Sequence, residues 1–253
     1  MIRIVNLRVS YGRNQVLGPV NMDVKRSSII IGQNGSGKTT LIKSICGIVK
    51  VHGEIRFELE KENNGNMDVV SNVEEIFSFA TNPRDISLLF SEYSSMDSGK
   101  FRECLDTFGM HSLYEKNFKE MSTGEQKIAF TCLALSAEAT ITFLDEPFEN
   151  LDPRRRKIMM NHILQFQSTA VMVTHELEIL RNFEEWDIYI LSDGTIFGPI
   201  LARDFLNSMP VPGKSGDSLI TVYSAGTAVS FIPSRDSQVA SYRNLDEIFG
   251  ELY

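Results

Sequence analysis

The residues Gly32-Gln33-Asn34-Gly35-Ser36-Gly37-Lys38-Thr39 carry the clearest chemistry in this chain of 253 residues. Glycines let main-chain N–H groups close on phosphate oxygens, and a helix beginning at the end of such a turn adds the positive end of its dipole. Lys38 then reaches the terminal phosphates as a point charge, while Asn34, Gly35, Ser36, Gly37 and Thr40 line the same cradle. The Thr39 hydroxyl is placed to ligate the Mg²⁺ that bridges those phosphates. A second cluster, Ile141-Thr142-Phe143-Leu144-Asp145-Glu146, is a short apolar run ending in two acids. Asp145 is suited to holding the metal indirectly, and Glu146 to polarising an attacking water. The plainer alternative is that both acids merely open a surface loop. A third run, Thr169 to Thr174, ends at His175, and Asp152 precedes Pro153 where it could cap a helix.

These groups need elements to carry them. The β-branched run Ser28 to Ile31 before the glycine turn and the segment Thr40 to Ile45 after it supply strand, loop and helix in the required order. Ligands of open α/β sheets sit at the carboxyl ends of strands, where Asp145, Glu146 and His175 all fall. His52, His111 and His162 have no such placement and read as surface or packing residues.

Composition sets the frame. Hydrophobic residues make up 42% and charged residues 23%, the balance of an ordinary globular protein. A net charge of -8 argues against a duplex-binding surface, so no nucleic acid is expected. Cys46, Cys104 and Cys132 are scattered and odd in number, which fits thiols in a reducing compartment better than a disulfide framework. The start of the chain lacks a signal-peptide pattern and no apolar run is long enough to cross a bilayer, so work at a membrane is expected to go through a partner.

Between the two nucleotide motifs lies Met121-Ser122-Thr123-Gly124-Glu125, just before an apolar stretch from Ile128 to Leu135. With the cradle upstream, the acids downstream, Glu149-Asn150-Leu151-Asp152 and the strand-end His175, this order resembles that of the ABC ATPases over roughly residues 1 to 205. The resemblance implies an α/β fold: a P-loop NTPase core with an antiparallel β subdomain and a short helical subdomain at about 83–125. It also implies ATP and Mg²⁺ as ligands and a head-to-tail dimer that sandwiches ATP. Tyr11 would stack on adenine, with packing at a strand end as its alternative. Ser122 and the N–H of Gly124 would meet the γ-phosphate from the facing subunit, Asp152 would order that subunit, and His175 would sense the phosphate. Homodimer and heterodimer with a sister ATPase both satisfy this scheme.

The chain departs from the family in places. Thr123 adds bulk where backbone should approach phosphate, and Glu125 adds a negative charge nearby. No glutamine follows the strand that leads into the helical subdomain. Asn82, at the end of what reads as an alternating run from Ile76, either does that glutamine's work at the metal or is a turn residue before Pro83. A strand over Val51 to Leu59 is expected to complete the antiparallel sheet and to end in a mobile polar turn at Glu60 to Asn66. The ATPase is expected to close near Asn207, giving 1–207, followed by an extension at 208–253 with a linker at Met209 to Asp217, a hairpin and a last helix from about Asn244 to Leu252. The leading expectation is the ATP-hydrolysing subunit of an ABC transporter, peripheral on the cytoplasmic face of a membrane through a separate spanning permease. The alternatives are a non-transport ATPase that switches a macromolecular assembly, and a regulator that binds ATP without cleaving it.

Overall fold

The computed structural model describes every residue except 58–67, 94–95, 235–237 and 253. The polar turn expected at Glu60 to Asn66 therefore lies outside the described residues. Along the chain, β1 (Ile2–Tyr11) and β2 (Asn14–Val24) precede β3 (Ser28–Gly32), α1 (Lys38–Ile45) and β4 (His52–Phe57). Next come β5 (Val69–Ser71), α2 (Glu74–Phe77), α3 (Pro83–Tyr93), α4 (Ser98–Thr107) and α5 (Thr123–Ser136). They are followed by β6 (Ile141–Asp145), α6 (Pro153–Leu164) and β7 (Thr169–Thr174). The last part holds β8 (Asp187–Ser192), β9 (Thr195–Leu201), α7 (Ala202–Leu206), β10 (Ser208–Pro212), β11 (Ile220–Ser224), β12 (Thr227–Pro233) and α8 (Leu245–Leu252). Two compact units result: Met1–Ser44 with Val49–Glu58 and Val173–Tyr253, and Ile45–Ile48 with Leu59–Met172.

The first unit begins with an antiparallel sheet in the order β2-β1-β4. Side chains of a strand alternate faces, yet Ile2, Ile4, Leu7 and Val9 are all buried although the pairs differ in parity. A bulge between Ile4 and Leu7, with Asn6 at φ +56°, supplies the extra residue that returns Leu7 and Val9 to the core face. Every residue of β3 is buried, and it pairs in parallel with β8 from Ser28↔Asp187 to Gly32↔Leu191. A strand covered on both faces needs this continuous Ser-Ile-Ile-Ile run rather than alternation. β8 turns back into β9 through Asp193 and Gly194, both at positive φ as a two-residue hairpin turn requires.

The C-terminal residues of this unit form a third sheet, β10-β12-β11. The hairpin of β11 and β12 and the helix α8 fall where the sequence places them. The expected linker does not: Met209 to Pro212 pair with β12 as β10. Its two prolines lack N–H groups, and an edge strand with one neighbour tolerates that loss.

In the second unit β5 pairs in parallel with β6, from Val69↔Ile141 to Ser71↔Phe143, and β7 lies beyond β6. Helix α5 is buried almost continuously from Ile128 to Ala134, as befits a helix apolar on all sides. Phe130 of α5 stacks on Phe77 at 5.3 Å and meets Phe118 at 4.8 Å. Phe77 belongs to α2, so the run from Ile76 that reads as alternating strand is instead the end of a one-turn helix. Two acids in its first turn favour that start. The cysteines also need correction: Cys104 of α4 and Cys132 of α5 form a disulfide, leaving Cys46 as the free thiol. Packing of α4 along α5 brings their Cα atoms to 5.8 Å, a proximity that a separation of 28 residues conceals.

Candidate functional site

In the first unit the glycine-rich loop joins β3 to α1. Gly35 and Gly37 sit at φ +79° and +100°, conformations that suit glycine. At Gly37 a Cβ would also lie 2.6 Å from Leu17 Cδ2, and at Gly32 2.6 Å from both the Leu191 carbonyl and Ser36 Oγ. Gly37 is thus fixed by packing as well as by backbone angle, Gly35 by its angle alone and Gly32 by packing alone. Lys38 is 7% exposed, and its ammonium donates to the carbonyls of Gly32 and Gln33, each at 2.9 Å. Those bonds pin the ammonium to the loop. Asn34, Gly35 and Thr39 are exposed, and Gly37 and Thr40 are partly so.

Tyr11 ends β1, opposite Asn14 in the β1–β2 hairpin, and is 52% exposed. That position suits a ring that stacks on a base. His175 follows β7 directly and is half-buried, beside the Thr174 hydroxyl that accepts from Glu176 N–H at 3.2 Å. The other histidines behave as packing or surface groups: His162 lies against Phe108 at 5.7 Å, and His111 bonds Asp106 at 2.8 Å.

In the second unit β6 delivers Asp145 and Glu146. The Asp145 main chain is pinned from two sides. Its N–H donates to Asn72 Oδ1 at 2.6 Å, and its carbonyl accepts from Asn72 Nδ2 at 3.2 Å and Lys127 Nζ at 3.0 Å. Glu146 then adopts φ +44°, a strained conformation for a residue with a side chain, and one that recurs where geometry serves function. Asp152 caps α6, accepting from Arg155 N–H at 3.0 Å.

Ser122 and Glu125 form a capping box at the start of α5. Ser122 Oγ accepts from Glu125 N–H at 3.3 Å, and the Glu125 carboxylate accepts from Ser122 N–H at 2.8 Å. Lys116 donates to both Glu125 oxygens, at 3.1 and 3.0 Å. The Ser122 N–H and Lys116 hold the Glu125 carboxyl below the usual range, so the negative charge that Glu125 adds is already balanced. Gly124 is buried, and a Cβ there would lie 2.7 Å from the Asn150 carbonyl. Only glycine fits against that turn, while Thr123 is exposed.

Asn82 stands eleven positions beyond the end of β5 and caps α3. Its Oδ1 accepts from Asp85 N–H at 3.0 Å and its Nδ2 donates to Asp85 Oδ2 at 2.8 Å, so both ends of the amide serve the turn before Pro83. The residue that directly follows β5 is Asn72, which sequence reasoning missed. It is 4% exposed and bonds Thr131 Oγ1 at 3.0 Å as well as the Asp145 main chain. The signal was the short Asp68-Val69-Val70-Ser71 run after a polar stretch.

The loop fits a nucleotide triphosphate on its own geometry. Two glycines at positive φ open the turn, and the buried Ser36 Oγ has no hydrogen-bond partner among the described residues. A threonine hydroxyl and carboxylates are hard oxygen donors, the set Mg²⁺ prefers when phosphates complete its shell. Fold and loop together define an α/β protein of the P-loop nucleotide-hydrolase class. The ABC transporter family model matches residues 17–149, and the chain belongs to that family as an ATP-binding, ATP-hydrolysing component. A manganese transport system ATP-binding protein of Bacillus subtilis is 27% identical over 217 residues, covering 78% of this chain and 86% of its own. A solved structure named as a cobalt transport ATP-binding protein superposes with a TM-score of 0.87 at 28% identity, covering 99% of each chain. A dimeric ATP-binding cassette bound to ADP and Pi shares the fold at TM-score 0.65 and 22% identity, over 81% of this chain and all of that one.

Proposed function

We propose that this chain is the motor subunit of a transporter, working as a pair that closes on ATP and draws its cargo specificity from a separate membrane-spanning permease. One observation carries the reading: a single chain holds both a phosphate loop with Lys38 in place and a capped signature helix whose Ser122 and Gly124 stand at its N-terminus. The dimeric relative with ADP and Pi supports the pairing, and the names of the transport relatives support the setting. Residues 1–207 are the ATPase and 208–253 an extension of it.

In this reading Lys38 and the loop N–H groups bind the phosphates of ATP and Tyr11 takes the adenine. Mg²⁺, when bound, neutralises the charge that develops between the β- and γ-phosphates, with Thr39 and Asp145 as its protein-side holders. Glu146 accepts a proton from the attacking water, and His175 steadies that water. Ser122, Gly124 and Asp152 complete the site of the facing copy, each helix N-terminus favouring the γ-phosphate. Among the described residues no helix is long and apolar enough to cross a membrane. The proposed contact with the permease is the helical region, where Phe79, Leu88 and Leu89 are exposed at 56%, 49% and 39%. In this reading the subunit sits at the cytoplasmic face, held there by its partner.

The test is E146Q. With Mg²⁺ and ATP it should show no steady-state hydrolysis and should elute as a dimer in size exclusion with light scattering, whereas wild type returns to monomer. A monomeric E146Q under saturating ATP, alone and mixed with any co-encoded ATPase, overturns the sandwich.

A further inference from the structure

The loop that carries Lys38 is braced from outside the motif. The side-chain amide of Gln33 is bonded at both ends to the C-terminal extension. Its Nε2 donates to Asp246 Oδ1 at 2.9 Å, and its Oε1 accepts from Ser224 Oγ at 3.1 Å. A donor at one end and an acceptor at the other allow a single orientation of the amide. The carbonyl of the same residue faces the chemistry, accepting from Lys38 Nζ at 2.9 Å and from Ser36 N–H at 3.2 Å. Gln33 therefore has the extension on its side chain and the phosphate-binding lysine on its backbone.

The brace is itself stiff and has a second foot. Asn244 Oδ1 accepts from Glu247 N–H at 2.9 Å, and the Glu247 carboxylate accepts from Arg243 N–H at 2.7 Å. Leu245 and Ile248 seat α8 in the core. The Arg243 carbonyl accepts from Leu177 N–H at 2.8 Å, two residues beyond His175, and the Arg181 guanidinium donates to the Ala240 carbonyl at 2.7 Å. At the other end of the sheet, Ala225 N–H donates to Asp193 Oδ2 at 2.6 Å, fixing the β11–β12 turn that follows Ser224. One segment of the extension thus ties the phosphate loop to the turn that carries the histidine.

We propose that Asp246 and Ser224 are positioning residues for ATP binding, acting through Gln33 to hold the phosphate loop and Lys38 in the shape that receives the triphosphate. This deepens the ATPase reading and does not depend on the permease. The sign of the effect is diagnostic. As a bare negative charge near a triphosphate, Asp246 would oppose ATP, so its removal would tighten binding; as a brace, its removal loosens the loop and weakens binding.

The experiment titrates full-length protein with Mg-ATP and Mg-ADP by calorimetry at about 0.15 M salt, with steady-state ATPase in parallel. D246A should raise Kd and KM for ATP about 5-fold, the factor that about 1 kcal/mol yields, with a much smaller change in kcat. D246N keeps an oxygen facing Nε2 and should recover most of the loss. Q33A should lose as much as D246A, and the double variant no more than either. Unchanged or tighter binding in D246A, D246N as weak as D246A, or additive losses in the double variant each overturn the proposal. Thermal melts establish that the variants fold. Should D246A not fold, S224A reads the other end of the same amide, with about a 2-fold loss expected and no loss overturning the brace. Wild type that binds no ATP at all refutes the ATPase reading instead.

Discussion

Replacing Asn72 by alanine tests whether the acids of the second unit owe their placement to a residue outside their own motif. Asn72 is buried and spends its amide on Asp145 N–H, the Asp145 carbonyl and Thr131 Oγ1. Alanine leaves the Asp145 N–H and the Thr131 hydroxyl without these partners in an interior that water reaches poorly. Each orphaned buried group costs about 1–3 kcal/mol. Lys127 still holds the Asp145 carbonyl, so only these two groups count and the sum is about 2–6 kcal/mol. For a chain of this size, that lowers the melting temperature by roughly 4–24 °C. Activity should fall further than stability, because release of the Asp145 backbone also frees Glu146, and a displacement of about 1 Å costs roughly 100-fold. Scanning calorimetry and an ATPase assay well below the lowered transition measure the two effects separately. T131V, which removes one of the three partners, should cost about 1 kcal/mol with kcat nearly intact. A melting temperature within about 2 °C of wild type together with unchanged kcat in N72A would refute the argument.

Two more outcomes follow from the start of α5. G124A forces a Cβ to within 2.7 Å of the Asn150 carbonyl and should destabilise the chain by about 1–3 kcal/mol, measurable by thermal melting even without ATP. A cost absent from the nucleotide-free melt would mean that the glycine serves only the facing subunit. E125Q removes a carboxylate whose pKa the Ser122 N–H and Lys116 depress. A depressed acid stabilises above its ordinary pKa and loses that contribution as pH falls through the lowered one. The deficit of E125Q, about 1 kcal/mol near neutrality, should therefore shrink and vanish on acidification, and a deficit that grows with acid would reverse the assignment.

Much of this architecture is legible in the sequence because its chemistry sits in contiguous stretches. The cradle, the two acids and the signature each declare element order within about ten residues, and Asp193-Gly194 announces its own turn. What stayed hidden depends on distant partners. Asn72 matters only because β5 aligns with β6 so that Ser71 faces Phe143 across the ladder. The pairing of Cys104 with Cys132 needs α4 beside α5. Gln33 and Asp246 lie at opposite ends of the chain. Asn82 is a different case: Asn-Pro-Arg-Asp is a helix-start pattern in its own right, with a cap, proline at the first position and an acid two residues later. Local chemistry is enough there, and the turn-residue alternative for Asn82 rests on it. The prolines of β10 read as linker because composition does not say which strand is at an edge.

The order in which the first unit acquires its parts has a consequence for synthesis. Ser28 of β3 pairs with Asp187 of β8, so the strand that ends in the phosphate loop leaves the ribosome long before its neighbour exists. At about 5–20 residues per second, the wait is roughly 10–30 s. Throughout that interval Ile29, Ile30 and Ile31 have their β8-facing backbone edge unclaimed. The exposure of that edge ends only when the carboxyl-terminal third emerges.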